Sequence, residues 1–254
     1  MRGSLESGRL SHGSAIHLHP TAPLAERVLL PGDPGRALAL AQALLERPLM
    51  FNHNRGLWGY TGDAPDGQPL TIQATGMGGP SAAIVLAELA LLGARRAIRV
   101  GTCGALQPQL ALGELVIASE AICADGTSRA LGGGERAQAD HELTEALARQ
   151  LPDATRGAVV STDLFYETGV VGERESHAAA GAVGAAARDD ALAVEMEAAT
   201  LFTAGARNRM QVGCLLTVTD VFDARGARTR IEAPALLDAA ERMGRAAIAA
   251  LSEP

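Results

Sequence analysis

An arginine, two glutamates and an aspartate stand in segments otherwise built from Val, Leu, Ala, Met and Cys. Arg99 lies near the end of RAIRV, Glu195 and Glu197 interrupt LAVEMEAA, and Asp220 closes VGCLLTVTD. An ionised group in apolar surroundings is costly unless a partner or a ligand offsets its lost hydration. Arg99 therefore needs an internal carboxylate or an anion. Gly101-Thr102-Cys103-Gly104 follows it, and a hydroxyl in a glycine loop beside a guanidinium favours phosphate. Of the two glutamates, one can serve the fold while the other faces ligand hydroxyls. At Asp220, desolvation disfavours the ionised carboxyl, as a general acid near neutrality requires. An aspartate capping a turn is the alternative there.

Two further segments suit the approach of an anion. Pro31-Gly32-Asp33-Pro34-Gly35-Arg36 joins an apolar run to a helical pattern, so backbone N–H groups and the Arg36 guanidinium converge at a helix start. Gly76-Met77-Gly78-Gly79-Pro80-Ser81 fits either close ligand approach or tight strand–helix packing. It does not match G-x-G-x-x-G, so a dinucleotide site is not expected. The chain contains no lysine, and all 22 basic residues are arginine. Schiff-base and P-loop lysine chemistry are thereby excluded.

The elements that must hold these residues alternate between apolar strands and helices. Strands are expected at Arg27–Leu30, Arg55–Gly62, Leu70–Thr75, Arg96–Val100, Glu114–Ser119, Gly157–Ser161, Leu192–Met196 and Val212–Thr219. Helices are expected at Ala37–Glu46, Ser81–Leu92 (apolar nearly all round, hence buried), Glu142–Leu151 with Asp140 as N-cap, Ala178–Arg188, Glu197–Gly205 and Pro234–Leu251. Such alternation implies an α/β fold whose ligands sit beyond the carboxyl ends of the strands. The Gly/Ser-rich residues 1–14 read as a flexible tail, and residues 15–254 as one domain.

Composition narrows the function classes. The 254 residues carry a net charge of −7, which argues against a nucleic-acid binder, and no apolar run approaches a membrane span. Cys103, Cys123 and Cys214 are scattered, with no metal-ligand spacing among them or the histidines. An odd number of dispersed thiols fits the cytoplasm.

In their order along the chain, PGDPGR, RGLWGYTG, TGMGGPS, RVGTCGA, STDLFY, VEMEAA and TVTD resemble the nucleoside phosphorylase I family, closest to its hexameric bacterial purine type. The likeness runs from about Ile16 to Leu251. It implies a single-domain three-layer α/β/α fold with a mixed, partly barrel-like central sheet. It also implies phosphorolysis of a nucleoside to free base and ribose 1-phosphate. Inorganic phosphate would be co-substrate, with no metal or organic cofactor. Active sites would form between two subunits, and dimers would assemble into hexamers.

By motif, the resemblance assigns phosphate binding to Gly32, Arg36, Arg99 and Thr102, with Arg55 from the neighbouring subunit. Glu197 and Met196 would hold the ribose, Phe165 would stack near the base, and Asp220 would protonate purine N7. A histidine reaching the neighbour's ribose is implied as well; His17 and His19 compete, and His17 is the choice. The family also places an arginine beyond the aspartate to assist it. Arg225, Arg228 and Arg230 lie in that stretch, but none aligns cleanly. Uridine phosphorylase shares the phosphate and ribose motifs. The stretch after Tyr166, ETGVVGERES, offers Arg174 but no glutamine of the kind with which such enzymes read uracil. A water-using nucleosidase would not need three arginines, and a non-catalytic sensor would not need both Glu197 and Asp220.

Overall fold

The computed structural model describes residues 15–165, 190–223 and 228–253. The tail over 1–14, the helix over 178–188, and Tyr166, Arg174 and Arg225 lie outside the described residues.

Eleven strands form one mixed sheet among the described residues. They are β1 (Arg27–Leu30), β2 (Glu46–Asn52), β3 (Gly59–Asp63), β4 (Pro69–Gln73), β5 (Arg96–Ala105), β6 (Leu115–Cys123), β7 (Arg136–Gln138), β8 (Thr155–Ser161), β9 (Ala193–Glu195), β10 (Gln211–Phe222) and β11 (Arg228–Arg230). The path β11-β10-β6-β8-β9-β5-β1-β4-β3-β2 is closed by a second pairing between β10 and β5. Strands β5, β10, β6, β8 and β9 thus form a ring, the barrel-like part of the sheet. β10 is buried from Val212 to Asp220 because β5 flanks it on one side and β6 on the other.

Side-chain alternation along the central strands feeds two cores. Ile98, Val100 and Leu215 face helices α1 (Pro34–Leu44), α4 (His141–Gln150) and α6 (Ala233–Ser252). Ala97, Cys103, Cys214 and Leu216 face α2 (Gly79–Leu92) and α5 (Ala198–Asn208), with the short α3 (Gly126–Ala130) beside them. The sheet is therefore sandwiched, giving the three-layer α/β/α arrangement. Helix starts follow local chemistry. Asp33 accepts from Arg36 N at 2.7 Å with Pro34 opening α1, and Asp140 accepts from Leu143 N at 3.0 Å.

Several boundaries differ from the sequence reading. Residues 55–58 are not strand: Arg55 (φ 57°) and Gly56 (φ 69°) are left-handed, and Asn54–Gly56 form a 3-10 turn. The GTCG segment is not a loop but the second half of β5, held on both edges by β10 and β9. α1 stops at Leu44 and β2 follows at once, an edge strand too polar and exposed to show an apolar pattern. The short β7, α3 and β11 were too brief to leave a periodic signal. α2 is not buried all round, since Ile84 and Leu91 stand exposed.

The C-terminus of α6 is fastened to the start of the sheet. Arg27 binds Asp66 through both terminal nitrogens, at 2.5 and 2.6 Å, and donates to Ser252 Oγ at 3.0 Å. The Arg27 hydrogen bonds hold the Asp66 carboxyl well below its ordinary range. A carboxyl depressed in the folded state stabilises above its unfolded pKa and loses that contribution as pH falls. Asp66→Asn should therefore cost about 1–3 kcal/mol at pH 7. The gap to wild type should close as pH falls below about 4. Urea unfolding at a series of pH values measures this, and a constant gap down to pH 2.5 would contradict it.

Candidate active site

Arg99 projects from β5 toward α2 and α5, and is 3% exposed. Its Nη2 lies 3.1 Å from Glu195 Oε2 and 2.5 Å from Glu197 Oε2. Burial works against its charge, but Glu197 and Glu195 hold the guanidinium above its ordinary pKa. The side chain folds back along its own strand. A Cβ at Gly101 would stand 2.7 Å from Arg99 Cζ, so a larger residue here would displace the guanidinium.

The two glutamates divide their work. Glu195 accepts from the N–H groups of Glu197 (2.8 Å) and Ala198 (2.9 Å) and from Ser161 Oγ, so it satisfies the free donors at the start of α5. Ser161 Oγ in turn accepts from Ala199 N at 2.8 Å. Glu195 is thus consumed by the fold. Glu197 accepts from Gly78 N at 2.5 Å and from Arg99. The glycine segment after β4 takes the packing role of the two expected for it. Gly78 brings a backbone donor to Glu197, while Gly79 leaves room for Thr200 and Thr127, whose Oγ1 atoms would lie 2.6 and 2.8 Å from a Cβ there.

Arg99 takes internal carboxylates, the first of the two alternatives left open by its sequence context. It is internally paired, yet its Nε and Nη1 are buried with no hydrogen-bond partner among the described residues. Arg36 Nη1, at the start of α1, is in the same condition. Burial and then the nearby charge of Arg99 lower the Arg36 pKa. Buried donors without acceptors, on like charges held together, describe a site shaped for an anion. Gly32 lies in the adjoining turn, where its carbonyl accepts from Gly76 N at 3.0 Å. Thr102 is half-buried, three residues beyond Arg99.

At the end of β10, Asp220 Oδ1 accepts from Arg228 Nε at 2.6 Å. Arg228 also stands over the Phe165 ring, 5.5 Å from its centroid. Asp220 is buried, as its apolar strand implies, and of the three arginines left open by the sequence Arg228 is the one that pairs with it. It was missed because the β10–β11 hairpin, not sequence spacing, brings it back to Asp220. Thr219 Oγ1 lies 2.7 Å from Asp220 Oδ2 and 3.2 Å from the Cys103 carbonyl. Thr219 thus stands between the carboxyl of Asp220 and the backbone of β5. Met196 is half-buried between Glu195 and Glu197.

His17 and Arg55 belong to a separate surface. Glu88 of α2 accepts from the N–H groups of Ile16, His17 and Leu18 and from His17 Nδ1 at 2.7 Å. His17 is therefore tied within its own chain through one ring nitrogen. His19 Nε2 faces the Ile16 carbonyl at 3.1 Å. Asn54 donates to the His17 carbonyl, which joins this segment to the turn that exposes Arg55. A lone glutamate in GPSAAIVLAELALL was the available sign of Glu88, and the sequence reading passed over it.

A family model described as the phosphorylase superfamily matches residues 26–252. The chain belongs to that superfamily. It is 34% identical over 212 residues to a DeoD-type purine nucleoside phosphorylase of Geobacillus kaustophilus, covering 79% of this chain and 83% of the relative. It is 38% identical over 202 residues to a uridine phosphorylase of Treponema pallidum, covering 75% and 76%. The crystal structure of a uridine phosphorylase from Vibrio fischeri, complexed with 6-hydroxy-1-naphthoic acid, superposes with a TM-score of 0.72 at 27% identity, covering 90% of each chain. Members of this superfamily among the relatives are pentosyl-transferring phosphorylases, with purine enzymes predominating.

Replacing Arg99 tests its structural share separately from any ligand. Arg99→Met leaves two buried carboxylates without their cation, which should cost about 3–5 kcal/mol. Chemical denaturation reads this directly. A loss under 1 kcal/mol would mean that water reaches the carboxylates and compensates them.

Proposed function

We propose that this enzyme cleaves purine nucleosides by phosphorolysis, yielding free base and (deoxy)ribose 1-phosphate. The observation that carries the reading is Asp220, buried near the end of β10 and paired with Arg228 beside Phe165. The unpartnered nitrogens of Arg36 and Arg99 support phosphate as the second substrate.

In this reading, phosphate lies among Arg36, Arg99, Thr102 and the Gly32 backbone, with the partner subunit's Arg55 added. Glu197 takes the ribose 2′ and 3′ hydroxyls, and Met196 packs on the sugar. A phosphate oxygen attacks C1′, and the C1′–N9 bond breaks with its electron pair passing to the base. Positive charge grows on the ribose, where phosphate and Glu197 stabilise it. Negative charge grows on the purine, and a proton from Asp220 to N7 neutralises it. Arg228 then stabilises the carboxylate left behind. The reaction written in this way calls on no metal and no organic cofactor.

Assembly belongs to the same proposal. Ile16, Leu49, Met50, Trp58, Ile84 and Leu91 are large apolar side chains left exposed, and some lie near His17 and Arg55 in sequence. Such exposure favours a subunit interface, hence a dimer as active unit and a hexamer built from dimers, with His17 facing the neighbour's ribose. Three free, buried cysteines fit a cytoplasmic enzyme. Among the described residues no helix is long and apolar enough to cross a membrane.

Base choice can be tested at Asp220. Removing a general acid costs about 10²–10⁴ in rate. Asp220→Asn should lose kcat on inosine or adenosine by that order, with a smaller change in KM. 7-Methylguanosine, whose base already carries positive charge, should lose much less. Uridine is the competing substrate, favoured by the Treponema relative. Wild-type preference for uridine, or equal losses on both purine substrates, would reject the assignment. Phosphate use is tested at Arg36: Arg36→Met should raise the phosphate KM about tenfold or more with little change in the nucleoside KM. Base release that needs no phosphate would indicate a nucleosidase instead.

A further inference from the structure

Asp125, the residue before α3, is completely buried. Its Oδ2 accepts from Ser128 N at 2.8 Å and from Thr200 Oγ1 at 2.7 Å, and its Oδ1 accepts from Ser128 Oγ. The bonds to Ser128 close the first turn of α3, as an N-cap does. The bond to Thr200 goes further. It crosses 75 residues of chain to α5, where Thr200 is also completely buried. A buried carboxylate oxygen is costly to leave unmet, so the single proton of the Thr200 hydroxyl is committed to Asp125.

The same Thr200 oxygen faces Gly79, the first residue of α2. A Cβ at Gly79 would stand 2.6 Å from Thr200 Oγ1 and 2.8 Å from Oγ1 of Thr127 on α3. The start of α2 therefore rests directly on two hydroxyls, one of them fixed by Asp125. Gly78, immediately before it, has φ 85° and ψ 161°, a conformation that glycine takes without strain. Its N–H donates to Glu197 Oε1 at 2.5 Å. Glu197 and Thr200 are three residues apart at the start of α5, so they share one face of its first turn. That turn meets α2 at two adjoining points, Glu197 at Gly78 and Thr200 at Gly79. A shift at one point moves the other.

We propose that Asp125 and Thr200 are positioning residues for Glu197. They fix how closely the start of α2 approaches α5, and thereby aim the Glu197 carboxylate. Oε1 is held by Gly78 and Oε2 by Arg99, so the carboxylate is oriented from two elements at once. Each oxygen keeps a further lone pair for a ligand hydroxyl. The inference rests on the reading of Glu197 as the group that takes the ribose 2′ and 3′ hydroxyls.

The test compares wild type with Thr200→Val, which keeps the shape and removes the hydroxyl, and Thr200→Ser, which keeps the hydroxyl. Gly79→Ala disturbs the same contact from the side of α2. Thr203→Val is the control, because that hydroxyl bonds to the Ala199 carbonyl of its own helix. Base release with phosphate is measured on inosine and on 2′,3′-dideoxyinosine, which has neither hydroxyl for Glu197 to hold. Hydrogen exchange over residues 76–81 reads the Gly78–Glu197 bond without any substrate. Thr200→Val and Gly79→Ala should lose about tenfold or more in kcat/KM on inosine, and about twofold or less on the dideoxynucleoside. Exchange over 76–81 should quicken in both. Thr200→Ser should recover most of each effect, and Thr203→Val should match wild type. Should Thr200→Val not fold, Gly79→Ala carries the comparison. Equal effects on the two nucleosides, including none, would overturn the proposal, as would unchanged exchange over 76–81. If wild type releases no base from inosine with phosphate, the phosphorolysis reading fails, and exchange alone decides whether Thr200 holds the Gly78–Glu197 bond in place.

Discussion

The buried ion group of Arg99, Glu195 and Glu197 is the constraint around which this molecule is organised. A guanidinium at 3% exposure inside a central strand is tolerable only with carboxylates beside it. Those carboxylates come from the junction of β9 and α5, far along the chain from β5. Their remaining oxygens are met by the start of α5, by Ser161 on β8 and by Gly78 before α2. One cation therefore fixes the relative placement of three strands and two helices. The same cation keeps two donors uncommitted. One nitrogen of a single planar group carries both carboxylates while the other two stay open, a division that a lysine ammonium could not make.

How much of this could be read from sequence depends on whether the signal was local. The apolar runs at β1, β5 and β10 and the Asp140 cap show in composition and period alone. The suspicious charges, Arg99, Glu195, Glu197 and Asp220, declare themselves by standing in apolar segments. What stayed hidden needed tertiary pairing. That Glu195 caps α5 while Glu197 meets Gly78 follows from a helix start, and both residues look alike in LAVEMEAA. Arg228 could not be chosen by spacing, because in the folded hairpin it lies opposite Phe222 and reaches Asp220 diagonally, while Arg230 stands directly opposite the aspartate. The left-handed Arg55 turn read as strand because its neighbours Leu57, Trp58 and Tyr60 carry strand-like side chains.

Charge placement accounts for an otherwise odd composition. An acidic protein with only arginine as its cation leaves buried nitrogens of Arg36 and Arg99 without acceptors, while several other arginines among the described residues are spent on structural ties. Arg27 with Asp66, Arg149 with Glu253 and Arg136 with Glu120 and Asp190 are such ties.

The two ends of the site rest on unequal foundations. Arg99 sits on β5, which is paired with β10, β1 and β9 and lies within the closed ring. Arg228 and Arg230 sit on β11, an edge strand of three residues with β10 as its one neighbour. Opening β5 means opening the whole sheet, so its amides exchange with solvent hydrogen only at the cost of global unfolding. Releasing β11 breaks a few peripheral bonds and belongs to the low-energy end of the fluctuation spectrum. The backbone that carries Arg99 is therefore set as firmly as the sheet itself. Substitutions in the short β11 hairpin can change what faces Asp220 without endangering the rest, so that end of the molecule is free to vary while the ring stays fixed.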